Sequence, residues 1–124
     1  MTANGQEEHE GSAARFVARG EDEILRLCAI LSLGMCEAIS HGLVGPDYAC
    51  HRLFRPALLA RARAAGADAE LAEALNLATE LDAVARLAPD ALASSLDDLK
   101  RRLLQNLRAI VPGPIEGEKW LVTR

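Results

Sequence analysis

Apolar positions along this chain recur mostly at helical spacing. The clearest run is Leu92, Leu96, Leu99, Leu103, Leu107 and Ile110, at intervals of four, three, four, four and three, which lines one face of an α-helix. Pro89 is placed to open that helix. A similar stripe precedes it: Leu71, Leu75, Ala78, Leu81, Val84 and Ala85 predict a single helix, capped by Asp68 and running to about Leu87.

The first helix has a different pattern. It is predicted from Glu21 to about His41, with Glu21, Asp22 and Glu23 at the end where negative charge is favoured and Gly42 as its stop. Between Leu27 and Ile39 only Ser32, Gly34 and Glu37 are not hydrophobic. A helix apolar nearly all round belongs in the interior, so the other helices are expected to wrap around this one. Between the long helices, Pro46 predicts a short helix through Phe54, ending before Pro56. Another covers roughly 57–65 and is ended by Gly66.

The expected organisation is a disordered acidic tail over residues 1–11 and a helical domain over 12–111, entered by a short turn from Ser12. An irregular C-terminal arm over 112–124 completes it, as a tail or as a strand-like arm laid over the bundle with Trp120 as anchor. The fold class is all-α: a compact bundle of four to five helices around a buried first helix.

Composition agrees. Half of the 124 residues are hydrophobic, with only two Phe, one Tyr and one Trp. Such a chain is long enough for one modest core and too short for two, and its Ala- and Leu-rich makeup favours helix over strand. The pairs Asp97/Arg101, Asp98/Arg102 and Asp82/Arg86 are acid-first at four-residue spacing, the mark of solvated helix faces.

Charge and cysteines narrow the function. A net charge of −4 with so few aromatics argues against nucleic acid, which calls for a basic footprint and stacking platforms. The stretch from Ile24 to Ile39 is interrupted by Arg26 and Glu37 and is shorter than the ~20 residues of a membrane span; no membrane partner is expected. The N-terminus carries no apolar core like that of a signal peptide. With an odd number of cysteines, the expected compartment is a reducing cytoplasm.

Cys36, His41, Cys50 and His51 crowd into one window, which raises a metal or catalytic site as a possibility. Helix geometry weighs against it. Cys28 and Cys36 are separated by ~12 Å along a continuous helix, too far for one disulfide or one zinc ion. His41 points to a different side from Cys36, and the neighbours Cys50 and His51 diverge. No CxxC, HxxxH or HExxH spacing is present, so no metal and no cofactor is expected. Cys28, Ser32 and Cys36 read instead as a ridge of small residues, with Gly34 marking tight packing against a neighbour. His41 sits near the helix end with Glu37 four residues before it.

Ser32, Ser40, Ser94 and Ser95 lack a nucleophile elbow, phosphate-cradling glycine loops are absent, and Glu70, Glu73, Glu80 and Asp82 fall on an outer helix face. No catalytic residue emerges, and the chain is not expected to be an enzyme. The one local basic cluster is Arg52, Arg55, Arg61 and Arg63. It reads as a solvated rim or as a docking patch for an acidic partner or anion, which the planar guanidinium suits.

The segments Ile30–Gly34 (ILSLG), Leu53–Pro56 (LFRP) and Thr79–Asp82 (TELD), with a proline-capped final helix, resemble those of a small bacterial family classed as a domain of unknown function. The resemblance spans roughly residues 22–108. It implies a bacterial cytosolic helical fold and transfers no activity. The expected role is a protein-interaction or regulatory, accessory module, toxin-neutralising roles included, with an unknown protein partner. The alternative is a small-ligand or enzyme domain with a pocket between helices. A homodimer is also expected, because the apolar content exceeds what so short a bundle readily hides.

Overall fold

A computed structural model describes residues 12–111 and 113–122; the expected tail at 1–11 lies outside them. The described chain runs β1 (Arg15–Phe16), α1 (Glu21–Ser40), α2 (Pro46–Arg52), α3 (Pro56–Ala64), α4 (Ala69–Ala78), α5 (Leu81–Leu87), a 3-10 turn (Pro89–Ala91), α6 (Leu92–Ala109) and β2 (Leu121–Val122). This is the all-α bundle expected, with one helix more because the predicted 68–87 helix is two.

The long helices α1 and α6 form the most extensive contact. They run antiparallel: Lys100 Nζ meets Glu37 Oε1 at 2.8 Å, while Arg26 donates to the carbonyl of Val111 at the other end. The α6 stripe behaves as its spacing predicts, with Leu96, Leu99 and Leu103 buried and Leu92 and Leu107 packed against the core. From α1 come Cys28, Ala29, Ser32, Cys36 and Ile39, and from α4 Leu71, Ala74, Leu75 and Ala78. Phe54, at the bend between α2 and α3, fills the remaining space at 2 % exposure.

Two glycines end helices as the sequence predicts. At Gly42 (φ 71°) and Gly66 (φ 90°) the chain enters the left-handed region. The following amide then turns back: Leu43 N donates to Ala38 O at 2.9 Å and Ala67 N to Ala62 O at 3.0 Å. These are Schellman closures, which only glycine enters without strain. The predicted cap is also present, Asp68 accepting from Leu71 N at 2.9 Å. Asp68→Ala is expected to cost about 1 kcal/mol of stability, read as a lower urea midpoint at unchanged m-value.

The break between α4 and α5 has a local cause. Thr79 Oγ1 donates to Asn76 O at 2.6 Å, and Glu80 N to Leu77 O at 3.0 Å, tightening the last turn. A β-branched hydroxyl residue competes for backbone acceptors in this way. Across the gap, Cys50 Sγ lies 3.5 Å from Ala78 O and 3.9 Å from Thr79 O and donates to those otherwise orphaned carbonyls.

Of three further expectations, two are corrected and one, the strand-like arm, holds with a partner strand that was not foreseen. First, α1 is enclosed on one side only: Ile30 and Leu31 remain 42 % exposed. Gly34 is exposed as well, and a Cβ there would meet nothing within 4 Å, so it marks no packing inside the chain. Second, the turn expected from Ser12 leads into β1, which pairs antiparallel with β2 in the register Arg15↔Val122 and Phe16↔Leu121. The arm is therefore tied down, and Trp120 anchors it by donating from Nε1 to Glu23 Oε1 at 3.0 Å. Third, Arg101 pairs with Asp98 rather than Asp97, beside the expected Arg102–Asp98 bond of 2.9 Å. Arg86–Asp82 (3.7 Å) and His41–Glu37 (3.5 Å) stand as predicted.

Candidate functional site

The sequence-predicted arginines lie on and beside α2 and α3. Proline at the first position of each helix fixes where it starts, and Pro56 forces the sharp bend after Phe54. Tyr48 and Arg52 are four residues apart on α2 and so share a face. The Arg52 guanidinium sits 4.9 Å from the Tyr48 ring centroid, a cation–π contact that holds both side chains at the surface. Arg55 precedes α3 and donates to His51 O at 3.1 Å, covering the open end of α2. Arg61 and Arg63 occupy the last turn of α3 on either side of buried Ala62, which places them on opposite flanks of that helix. Arg55 thus lies at the end of α2 that carries Arg52, while Arg61 and Arg63 lie farther along, at the end of α3.

All four arginines are exposed. Among the described residues, none has a carboxylate within ion-pair distance, whereas Arg19, Arg26, Arg86, Lys100, Arg101 and Arg102 all do. Beside Arg52 lies an open depression of about 600 Å³ lined by Asp47, Tyr48, Cys50, His51, Arg52 and Asp82. Tyr48 and Asp82 were not foreseen as neighbours of the patch. The four-residue spacing of Tyr48 and Arg52 was the available signal for the first; no local pattern links the second.

The thiols are built for packing. Cys28 and Cys36 are 5 % and 0 % exposed, and burial pushes both thiols up, Cys36 to about 12. The Cys50 thiol is raised too, first by burial. A nucleophilic or metal-binding cysteine has the opposite tendency. Among the described residues no group of three His, Cys, Asp or Glu side chains converges as a metal site would need. Elsewhere, the Lys100 ammonium bonded to Glu37 holds that carboxyl below its usual range.

A cavity of about 850 Å³ lies under the C-terminal arm between Val17, Arg26, Ile115 and Trp120. Two ion pairs lie among its lining residues, Arg26 with Glu23 and Arg19 with Glu118.

A family model described as Protein of unknown function (DUF3969) matches residues 19–122. The chain belongs to this family. The DUF3969 match reaches beyond the 22–108 segment of the sequence resemblance and takes in β2 and the Trp120 anchor, so the tied-down arm falls inside the family's span. No curated protein and no solved structure matches the chain significantly. Among the described residues, no helix is long and apolar enough to cross a membrane.

Proposed function

We propose that this DUF3969 chain is a cytoplasmic interaction module of regulatory or accessory kind, not an enzyme. It docks an acidic segment of a partner protein on Arg52, Arg55, Arg61 and Arg63. One observation carries the reading: these arginines have no carboxylate partner among the described residues, in a chain with 18 acidic and 14 basic side chains. Where acids outnumber bases, a cluster of unneutralised guanidinium groups presents a field that an acidic surface completes. Arg52 is already held on Tyr48, so less side-chain entropy is lost on docking, and Arg with Tyr is a residue pairing typical of interface hot spots. Neutralising a toxin is one form such a role takes.

The test is recovery of a partner. Tagged protein is expected to retain one stoichiometric protein from source-cell extract, with recovery falling as salt rises. Replacing all four arginines by serine should abolish that recovery while leaving the far-UV spectrum unchanged. Undiminished recovery would remove this surface from consideration.

A second reading has one observation in its favour: the depression beside Arg52 brings His51 and the carboxylates of Asp47 and Asp82 together, as a small polar ligand would require. A thermal-shift screen of metabolites separates the two readings. It should be silent if the arginines serve a protein.

A further inference from the structure

We propose that the outer face of α1 is a two-fold interface with a second copy of this chain, the helices crossing at Gly34. This surface is separate from the arginine surface of α2 and α3.

The face is apolar and uncovered. Opposite the buried ridge, α1 presents Leu27, Ile30, Leu31, Gly34 and Ala38, with Ile30 and Leu31 each 42 % exposed. Leu33 continues it onto α6, where Leu104 is also 42 % exposed. A twenty-residue helix apolar on both sides implies cover on both sides, and the described chain supplies cover for one. Gly34 sharpens the point. Glycine in a helix interior costs about 1 kcal/mol relative to alanine. Nothing stands within 4 Å of where its Cβ would be, so packing inside the chain gives no reason for it. At a helix crossing, the missing side chain lets two backbones approach closely.

Charge selects the occupant. Lys100 faces Glu37 and Val111 faces Arg26, so in this antiparallel pair Leu103 stands level with Gly34. Asp97 and Arg108 lie on α6 on either side of that level, three turns and ~16 Å apart. Both border the groove between α1 and α6, together with Lys100 and Arg101. Arg108 has no carboxylate within ion-pair distance among the described residues, and Asp97 has only a loose contact, Lys100 at 3.9 Å. Lys100 and Arg101 are already engaged by Glu37 and Asp98. A two-fold axis through Gly34 exchanges the two ends of the groove. It brings Arg108 of each copy over Asp97 of the other, twice by symmetry. A surface that is its own complement under two-fold rotation is the mark of an isologous dimer.

Sedimentation equilibrium of the full chain tests this. A dimer is expected, and Asp97→Arg or Arg108→Asp alone should raise its dissociation constant at least about tenfold. The double variant, carrying both swaps, should recover to near the parent value, which a merely structural effect of either residue would not produce. Gly34→Gln favours the helix and so preserves the fold, yet places a side chain at the crossing; it should leave a folded monomer. A parent chain that stays monomeric up to about 100 μM overturns the proposal. So does a dimer indifferent to Gly34→Gln, or single swaps that the double variant fails to rescue.

Discussion

Leu103→Ala is expected to lower unfolding free energy by roughly 3–5 kcal/mol. Leu103 is 0 % exposed and lies in the α1–α6 contact, the most extensive in the molecule. Its removal leaves a cavity between two rigid helices that cannot both move inward. A domain of this size is stable by only about 5–15 kcal/mol in total, so one side chain carries roughly a fifth or more of the margin. The thermal midpoint should fall by roughly 10–20 °C. Leu87→Ala is the matched control: the same chemical change at a site 81 % exposed, expected within about 0.5 kcal/mol. If calorimetry returned similar shifts for both, the α6 stripe would not be the seam of the core.

How much was legible in the sequence follows from the range over which each cause acts. The stripe of α6 and the closures at Gly42 and Gly66 are local: leucines repeating at three and four, and glycine where φ must be positive. They stood out because the deciding residues lie within the element they define. The end of α4 did not, because the apolar period runs on through Leu75, Ala78 and Leu81. The helix is ended by the Thr79 hydroxyl with help from Cys50, 28 residues earlier in the chain. Of the β1–β2 ribbon, the strand-like arm was one of two readings, but its pairing with β1 was invisible for a similar reason. Two residues per strand carry no periodicity, and its partners come from opposite ends of the described chain.

The enclosure of α1 was misjudged for a different reason. An all-round apolar pattern says that a helix is to be covered, and is silent about which chain provides the cover. The arginine cluster shows the same limit. Its existence could be read directly, but only helix phase separates Arg61 from Arg63 and joins Arg52 to Tyr48.

Raising the pH above about 9 is expected to weaken the fold through its buried thiols. The Cys36 thiol is pushed from an ordinary 9.0 to about 12 by burial, and Cys28 moves in the same direction. The folded state therefore keeps protons that the unfolded chain releases. The stabilisation is complete below the unfolded value near 9 and is lost progressively as pH climbs from there through the folded value. The slope for Cys36 approaches 1.4 kcal/mol per pH unit across that window. Lys100, held above 10.5 by its bond to Glu37, gives a loss of the same sign that starts later, so between pH 9 and 10 the thiols dominate. Urea midpoints at pH 8, 9 and 10 measure the slope, and the Cys28→Ala, Cys36→Ala double variant should flatten it. The same burial predicts an order of modification: iodoacetamide at pH 8 should reach half-buried Cys50 well before Cys36. Equal labelling of the two would mean that α1 opens as readily as the surface, and the seam between α1 and α6 would then not be the rigid centre on which the rest of the bundle is hung.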